Sequence, residues 1–218
     1  MAYVSNAVFD FDGTLIHGDS TTRWLLDVFK RSPVRLLLAI SVLPAALPMT
    51  ILPATRRRGA SVFLWLATFG LDESAVESSL RAFARRFEAG ELPIHFRRGA
   101  IETLERHLAD GHRVAICTAA PALVARALLG RWLTRVAVVG SPLRKLAGGF
   151  IFERHCYAWE KCTFLREAGY PESWQFAYTD SIADRALLVN ADQGYVINPG
   201  RMLRRKVSQE RIAEALVW

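Results

Sequence analysis

Six polar residues have side-chain types and spacing that could act together in one chemical site: Asp10, Asp12, Thr118, Lys161, Asp180 and Asp184. They comprise two pairs of carboxylates, one hydroxyl and one ammonium. Carboxylates can transfer protons or hold a hard cation, and hydroxyl and ammonium groups can bind anionic oxygens. Taken singly, each of these residues is more commonly a turn, a cap or a surface group. Their value as a site therefore depends on whether the fold brings them together.

The elements around these residues predict how they are positioned. Short apolar runs, rich in β-branched or aromatic residues, predict strands over residues 4–9, 113–117, 136–139, 175–178 and 194–198. Helices are predicted over residues 20–31, 60–69, 73–89, 98–109, 121–131, 160–168 and 181–188. Ser20 or Thr21 is the predicted N-cap of the first helix, and a hairpin is predicted over 141–154.

Strands that alternate with helices predict an α/β fold, with a Rossmann-like parallel sheet covered on both faces. Ligands of such sheets bind at the carboxyl ends of the strands, where the six polar residues can converge. The alternating pattern covers residues 1–16 and 96–218, which predict the core. Residues 17–95 predict an inserted, all-helical cap domain.

Composition and charge exclude several other classes of protein. The 218 residues are 51% hydrophobic and 22% charged, which excludes extensive disorder. The three cysteines have no C-x-x-C spacing and are interpreted as reduced thiols, and the histidines show no metal-ligand spacing. No basic segment precedes an apolar one at the N-terminus, so we expect no secretory signal. The net charge of +7 favours anionic partners, but the basic cluster at 204–206 lacks interleaved aromatic residues, and we expect no nucleic-acid partner.

Four motifs, in order along the chain, resemble those of the haloacid dehalogenase-like phosphatases. The first is V-F-D-F-D-G-T-L at residues 8–15, and the second is I-C-T at 116–118. Lys161 fits the third motif, and Y-T-D-S-x-x-D at 178–184 is similar to the fourth. Thr179 stands where glycine is usual in that family, a departure expected to affect only the shape of the loop. One D-x-D motif would be weak evidence, but four elements in order, each at a predicted strand or helix end, are specific.

The resemblance implies roles for these residues in phosphomonoester hydrolysis. Asp10 is the expected nucleophile, which forms an aspartyl-phosphate. Asp12 is the expected general acid and base, which protonates the leaving alcohol and then activates water. Gly13 allows the backbone to approach the phosphate closely. Thr118 and Lys161 are expected to hold the non-bridging phosphate oxygens.

A hard cation would offset the repulsion between the carboxylates and a phosphate, and Mg²⁺ fits best. Its expected ligands are the carboxylates of Asp10 and Asp180 and the backbone carbonyl of Asp12. Asp184 is expected to orient Lys161 or a metal-bound water.

The predicted cap contains an apolar segment at residues 34–58. Residues 36–54 carry no charge and approach the ~20 apolar residues that span a bilayer. A single crossing would separate Asp10 from its partners, because these follow the segment in the chain. Three prolines are expected to break a helix here: Pro44, Pro48 and Pro53. We therefore predict that the segment turns back.

Two interpretations of residues 34–58 stay open on composition. In one, the segment is a re-entrant or interfacial helical hairpin, held on an anionic membrane surface by basic flanks. In the other, it is the buried half of a soluble cap. The basic residues of the flanks are Lys30, Arg31, Arg35, Arg56, Arg57 and Arg58, and the positive-inside tendency places both flanks on the cytoplasmic side.

Three features occur in order along the chain: a D-x-D-G-T-L motif, a basic apolar run broken by prolines, and F-L-W-L-A-T-F-G at 63–70. This arrangement resembles the phosphatidylglycerophosphatase C family of bacterial lipid phosphatases. The resemblance implies dephosphorylation of phosphatidylglycerophosphate to phosphatidylglycerol. It places the protein in the bacterial cytoplasm or on the cytoplasmic face of the inner membrane. Asp19 and Arg23 are candidates for contacts with the substrate head group; the alternatives are a helix cap for Asp19 and a solvated face for Arg23.

Two other functions stay open. One is a soluble phosphatase of the phosphoserine-phosphatase type, which acts on a small phosphorylated metabolite. The other belongs to a different class, a non-catalytic membrane-binding module. The complete set of motif residues argues against the second.

Overall fold

The computed structural model describes residues 5–52, 54–210 and 212–218. Its strands are β1 (Asn6–Phe9), β2 (Ile16–His17), β3 (His95–Phe96), β4 (Arg113–Pro121), β5 (Val136–Ser141), β6 (Leu143–Leu146), β7 (Gly149–Phe152), β8 (Trp174–Thr179), β9 (Ala191–Ile197) and β10 (Glu214–Leu216). Its α-helices are α1 (Ser20–Lys30), α2 (Pro33–Ile51), α3 (Arg56–Thr68), α4 (Glu73–Glu88), α5 (Arg98–Ala109), α6 (Ala122–Leu129), α7 (Glu160–Glu167), α8 (Arg185–Val189) and α9 (Arg201–Glu210).

Six strands form one parallel sheet in the order β10-β9-β8-β1-β4-β5. Side chains of β1 alternate between two cores, because successive residues of a strand point to opposite faces. Ala7 and Phe9 pack into one apolar cluster and Val8 into the other. The predicted α/β fold with a covered parallel sheet is therefore confirmed. The predicted hairpin over 141–154 is also present, as the antiparallel pair β6–β7.

The mostly helical insert lies between β2 and β3. The short strands β2 and β3 pair antiparallel where the chain enters and leaves it, and α1 to α4 lie between them. The exact domain boundaries, 17 and 95, stay a prediction. Helix α3 also packs on the β6–β7 hairpin: Thr68 Oγ1 accepts a hydrogen bond from the Phe150 N–H at 2.8 Å, and the Trp65 indole donates to the Leu146 carbonyl at 2.9 Å.

The prediction that prolines break the apolar segment is wrong for the two that the structure describes. Helix α2 runs without interruption through Pro44 and Pro48, while Pro53 lies outside the described residues. Each proline removes one backbone hydrogen bond. Both prolines are exposed, so water can bind the carbonyls that they leave unpaired. The chain does turn back as predicted, but only after Ile51.

Helices α2 and α3 form an antiparallel hairpin. The Arg35 guanidinium, near the start of α2, donates to the carbonyls of Ala67 and Phe69 at the end of α3. Near the other end, a Cβ on Gly59 would lie 2.8 Å from the backbone of Met49, so glycine permits a close approach of the two helices. By length and composition α2 could cross a membrane, and only 11% of its most apolar stretch is buried.

Candidate active site

The three central strands of the sheet bring most of the predicted site residues together. Asp10 directly follows β1, Thr118 lies in β4, and Asp180 directly follows β8. Strand β1 pairs with both of the others, and the Asp10 N–H donates to the Tyr178 carbonyl at 2.8 Å. The convergence at the carboxyl edge that the sequence predicted is therefore present.

Lys161, in the first turn of α7, joins two of the carboxylates. Its Nζ lies 2.6 Å from Asp10 Oδ1 and 2.7 Å from Asp184 Oδ2, and all three side chains are buried. Burial lowers the pKa of Lys161, but the two carboxylates outweigh it and hold this pKa well above its usual value. Burial raises the pKa of Asp10 to about 7, although the adjacent Lys161 opposes the shift. The lysine is thus a fixed positive charge beside the expected nucleophile.

Thr179 has a larger role than its expected effect on loop shape. Its hydroxyl donates to Asp184 Oδ2 at 2.9 Å and accepts from the Ser181 N–H at 3.1 Å. The oxygen of Asp184 that binds Lys161 is therefore also held by a hydroxyl, which a glycine could not supply. The signal available in the sequence was a hydroxyl residue where the family has glycine.

The close approach of Asp180 leaves no room for a side chain at Gly13. The glycine has φ +79°, and a Cβ there would lie 2.1 Å from Asp180 Oδ2. Thr14 lies beside both carboxylates, with its Oγ1 at 3.4 Å from Asp10 Oδ2 and 3.5 Å from Asp180 Oδ1. The sequence motif contained Thr14, but its place between the two carboxylates was not predicted. Burial raises the pKa of Asp180, although a backbone hydrogen bond opposes the shift.

Asp12 and Asp19 meet at the start of α1. Asp12 Oδ1 accepts from the Ser20 N–H at 2.7 Å, while Asp19 is the N-cap, with its Oδ1 accepting from the Thr22 N–H at 2.6 Å. The predicted N-cap, Ser20 or Thr21, is thus wrong by one or two residues. The side chain that accepts a hydrogen bond from a free N–H of the first helical turn is that of Asp19. Burial, and secondarily the charge of Asp19, raises the pKa of Asp12 to about 8.

Thr118 lies where β4 becomes irregular. The pairing of β4 with β5 shifts register between Thr118 and Pro121, and the buried Thr118 Oγ1 accepts from the Ala120 N–H at 3.0 Å. That bond leaves the hydroxyl hydrogen available for an acceptor in the cavity, since a hydroxyl both donates and accepts.

All six predicted polar residues line one cavity of about 760 Å³. Asp19 also lines it, whereas Arg23 is exposed and is not among the lining residues. Arg23 is therefore not placed to contact a ligand in this cavity. Arg56, His155 and Tyr157 are among the other lining residues, which were not predicted as site residues.

These three residues form a group on the cavity wall. The Arg56 guanidinium stacks 4.6 Å from the centre of the Tyr157 ring. Burial, and then the charges of Arg56 and Arg57, lower the pKa of His155 to about 4, so the imidazole is neutral at pH 7. Arg57 and Arg35 donate to backbone carbonyls. Part of the basic flanks thus forms hydrogen bonds within the protein, at its surface.

The chemistry of the donor set fits Mg²⁺. In the described residues no three histidine, cysteine or acidic side chains converge on one metal position. Mg²⁺ does not require this, because it commonly binds through one or two carboxylates and keeps several waters. Five carboxylates line the cavity beside one buried ammonium, and burial raises the pKa of three of them, Asp10, Asp12 and Asp180. Asp10, Asp180 and the Asp12 carbonyl are the groups that would hold the ion.

Comparison with known proteins agrees with this fold and site. Residues 7–188 match the family described as haloacid dehalogenase-like hydrolase. The chain therefore belongs to that family, and the predicted hydrolase is confirmed. It is also 30% identical over 202 residues to protein CicA of Caulobacter vibrioides strain NA1000 / CB15N, an alignment that covers 88% of this chain and 86% of that protein.

Solved structures share the fold at low sequence identity. A protein of unknown function from Bordetella pertussis Tohama I superposes with a TM-score of 0.75 at 20% identity, covering 98% of this chain and 99% of that one. A phosphoserine phosphatase, solved as a phospho-aspartyl intermediate analogue, superposes with a TM-score of 0.58 at 14% identity, covering 98% and 93% of the two chains. These structures show the shared fold, and the family match shows a hydrolase.

Proposed function

We propose that this enzyme hydrolyses phosphomonoesters through an aspartyl-phosphate on Asp10. The observation that carries the proposal is the buried ion pair of Asp10 with Lys161, which opens into a ligand-sized cavity. The pair leaves Asp10 Oδ2 beside Thr14, on the side of the carboxylate away from the lysine. That oxygen is the expected nucleophile.

Asp12 transfers the proton in both steps of the proposed reaction. In the first, Asp10 Oδ2 bonds to phosphorus while the bond to the ester oxygen breaks, and Asp12 gives its proton to the leaving alcohol. In the second, water gives a proton to Asp12 and attacks the same phosphorus, which releases phosphate and restores the Asp10 carboxylate. The raised pKa of Asp12, about 8, suits a carboxyl that must hold a proton near neutral pH.

Electrostatic stabilisation comes from residues around the transferred group. Lys161 and Thr118 bind the non-bridging oxygens, and Asp184, held by Thr179, keeps the lysine in place. Mg²⁺ on Asp10, Asp180 and the Asp12 carbonyl would neutralise negative charge between the carboxylates and the phosphate.

The proposed substrate is a phospholipid monoester, and specifically phosphatidylglycerophosphate, which yields phosphatidylglycerol. Two observations support a lipid over a small metabolite. The outward face of α2 exposes Val34, Leu37 and Leu38, an apolar patch of the kind that marks membrane or protein contacts. Lys30, at the exposed end of the preceding helix, adds positive charge near this patch, which favours an anionic lipid surface. A position on the cytoplasmic face of a bacterial inner membrane is part of this proposal.

Phosphate release from a substrate panel tests both parts of the proposal. We expect Mg²⁺-dependent turnover of phosphatidylglycerophosphate in mixed micelles that exceeds the turnover of phosphoserine and other soluble phosphomonoesters. Asp10→Asn is expected to lower phosphate release by at least about 1,000-fold, because the amide cannot form the acyl-phosphate. Asp192→Asn, which changes an exposed aspartate on β9, is the matched control.

The possible outcomes distinguish the mechanism from the substrate class. Normal turnover in Asp10→Asn would overturn the mechanism. High turnover of a soluble phosphomonoester, with none on lipid, would overturn the lipid substrate and favour the small-metabolite alternative. Vesicle binding without turnover of any phosphomonoester would favour a non-catalytic membrane module.

A further inference from the structure

The cavity that contains the carboxylates continues along α2. Leu36, Ile40, Leu43 and Leu47 all line it. They recur at intervals of four, three and four residues, so they form one stripe along the helix. Each is at least 36% exposed, which leaves a long apolar strip open beside a site built for a phosphate.

Helices α1 and α3 supply the other side of this space. Leu25 and Phe29 line the cavity from α1, and Phe63 lines it from α3. Leu25 is three residues beyond Thr22, whose N–H is bound by the cavity residue Asp19. The apolar wall thus begins within one helical turn of the polar end.

The orientation of α2 is fixed by small residues on a neighbouring face of the helix. Ala39 and Ala46 are buried, and Ala39 shares an apolar cluster with Leu66 and Ala67 of α3. Gly59 lets the two helices approach at the far end. Packing of this face against α3 aims the leucine stripe at the cavity. The apolar arm is therefore built into the fold before any ligand binds.

From this continuity we infer that the apolar arm of the cavity is a binding site for a hydrocarbon chain of the substrate. The inference rests on the proposed function, because the phosphate of the same molecule must reach Asp10. A ligand that is anionic at one end and apolar along its length matches the order of side chains in the cavity. The volume, about 760 Å³, lies in the usual range for ligand sites. The substrate chain is then held by protein rather than left in the bilayer.

Chain length separates this binding mode from simple docking on a membrane. We use primary alkyl phosphates from butyl to decyl, each below its critical micelle concentration, so that no lipid surface is present. A chain that enters the arm should raise kcat/KM by about fourfold per methylene until the arm is filled. A chain left in solvent gives the same kcat/KM at every length.

Leu43 is the position to change, because it lies in the middle of the stripe. Leu43→Trp fills the arm, and we expect it to lower kcat/KM for decyl phosphate at least about tenfold while butyl phosphate is turned over as in the wild type. Leu43→Met nearly keeps the volume and should keep the dependence on chain length. Val189→Trp, at an exposed site on α8, is the surface control and should also keep it.

Turnover of butyl phosphate shows that each variant is folded. If kcat/KM of the wild type does not depend on chain length, this inference is overturned and the proposed function still stands. An equal loss on butyl and decyl phosphate in Leu43→Trp would overturn it as well. Lack of turnover for every alkyl phosphate and for the lipid would overturn the proposed function, and the inference with it.

Discussion

At the sheet end of the cavity, Asp10, Lys161 and Asp184 expose only 6%, 2% and 3% of their surfaces, and ion pairs and hydrogen bonds hold each of them. At the α2 end, Leu43 and Leu47 expose 41% and 47% and contact the cavity through apolar atoms alone. The same cavity therefore has a closed, charged end and an open, apolar end. Chemistry requires the first to be rigid, since charges must be aimed at fixed atoms. Binding of a hydrocarbon chain requires only an apolar surface from which water is released.

The largest expected effect comes from breaking the charged end. Lys161→Met leaves Asp10 and Asp184 buried without their shared cation. We expect kcat/KM to fall by about 1,000-fold, and the free energy of unfolding to fall by about 3 kcal/mol. Phosphate release and urea titration measure the two changes. Lys145→Met changes an exposed lysine on β6 and should alter neither quantity; a similar result for both variants would contradict the assigned role.

Two glycine substitutions separate the loss of stability caused by backbone strain from the loss of activity caused by a displaced site residue. Gly13 and Gly111 both have positive φ, +79° and +74°, but only a Cβ at Gly13 would meet another residue, Asp180. We expect Gly13→Ala to lower kcat about 100-fold, because Asp180 must move. Gly111→Ala should cost only about 1 kcal/mol of stability with kcat unchanged. If both variants keep full activity, the position of Asp180 does not affect catalysis.

The charged end should also set the pH dependence of stability in metal-free protein. The pKa values of Asp10 and Asp12 are raised by burial to about 7 and about 8, so between pH 4 and pH 8 the folded state holds protons that the unfolded state has lost. Stability must therefore fall as pH rises through this window. Urea titration in EDTA should give a free energy of unfolding about 6 kcal/mol lower at pH 8 than at pH 5.

Two comparisons sharpen the pH experiment. Asp12→Asn cannot titrate at this position, so its stability should change less between pH 5 and pH 8. Added Mg²⁺ should stabilise the wild type more at pH 8, because the ion binds ionised carboxylates. An unchanged pH dependence in Asp12→Asn, or no stabilisation by Mg²⁺, would contradict the proposed charge balance.

The smallest expected effect tests the outer face of the apolar end. Leu38 is 49% exposed on α2, and it does not line the cavity. Leu38→Glu should weaken binding to anionic phosphatidylglycerol vesicles about tenfold, as measured by sedimentation, while turnover of butyl phosphate stays at the wild-type value. Val189→Glu, on an exposed face of α8, carries the same change in charge. Equal weakening by both variants would indicate general electrostatics instead of an α2 contact.

Prediction from the sequence succeeded best where the chemistry is local. The residues that follow β1 and β8 bear the carboxylates, and the carboxyl edge of a parallel sheet brings strand ends together whatever their separation in sequence. It failed at α2, where the prolines predicted a break. Proline lowers the stability of an isolated helix, but packing of Ala39 on α3, together with hydration of the exposed side, offsets the loss in this one.

Interactions between distant residues were also missed. Nothing in the spacing of Arg56, Tyr157 and His155 indicated that they share a wall of the cavity. The hydroxyl of Thr179 was visible as a departure from a motif, yet its bond to Asp184 depends on the turn after β8. Such contacts are set by how loops lie over the sheet edge.

The sequence by itself determined the parallel sheet, the order of its chemical residues and the presence of an apolar insert. These depend on local patterns: strand alternation, motif spacing and composition. Only the tertiary structure decided which leucines of α2 face the cavity and which face outward. The helix is apolar on every side, so its periodicity carries no information about faces. Its rotation is fixed instead by packing between the helices, where Ala39 of α2 shares an apolar cluster with α3 and Gly59 of α3 lies against the backbone of α2.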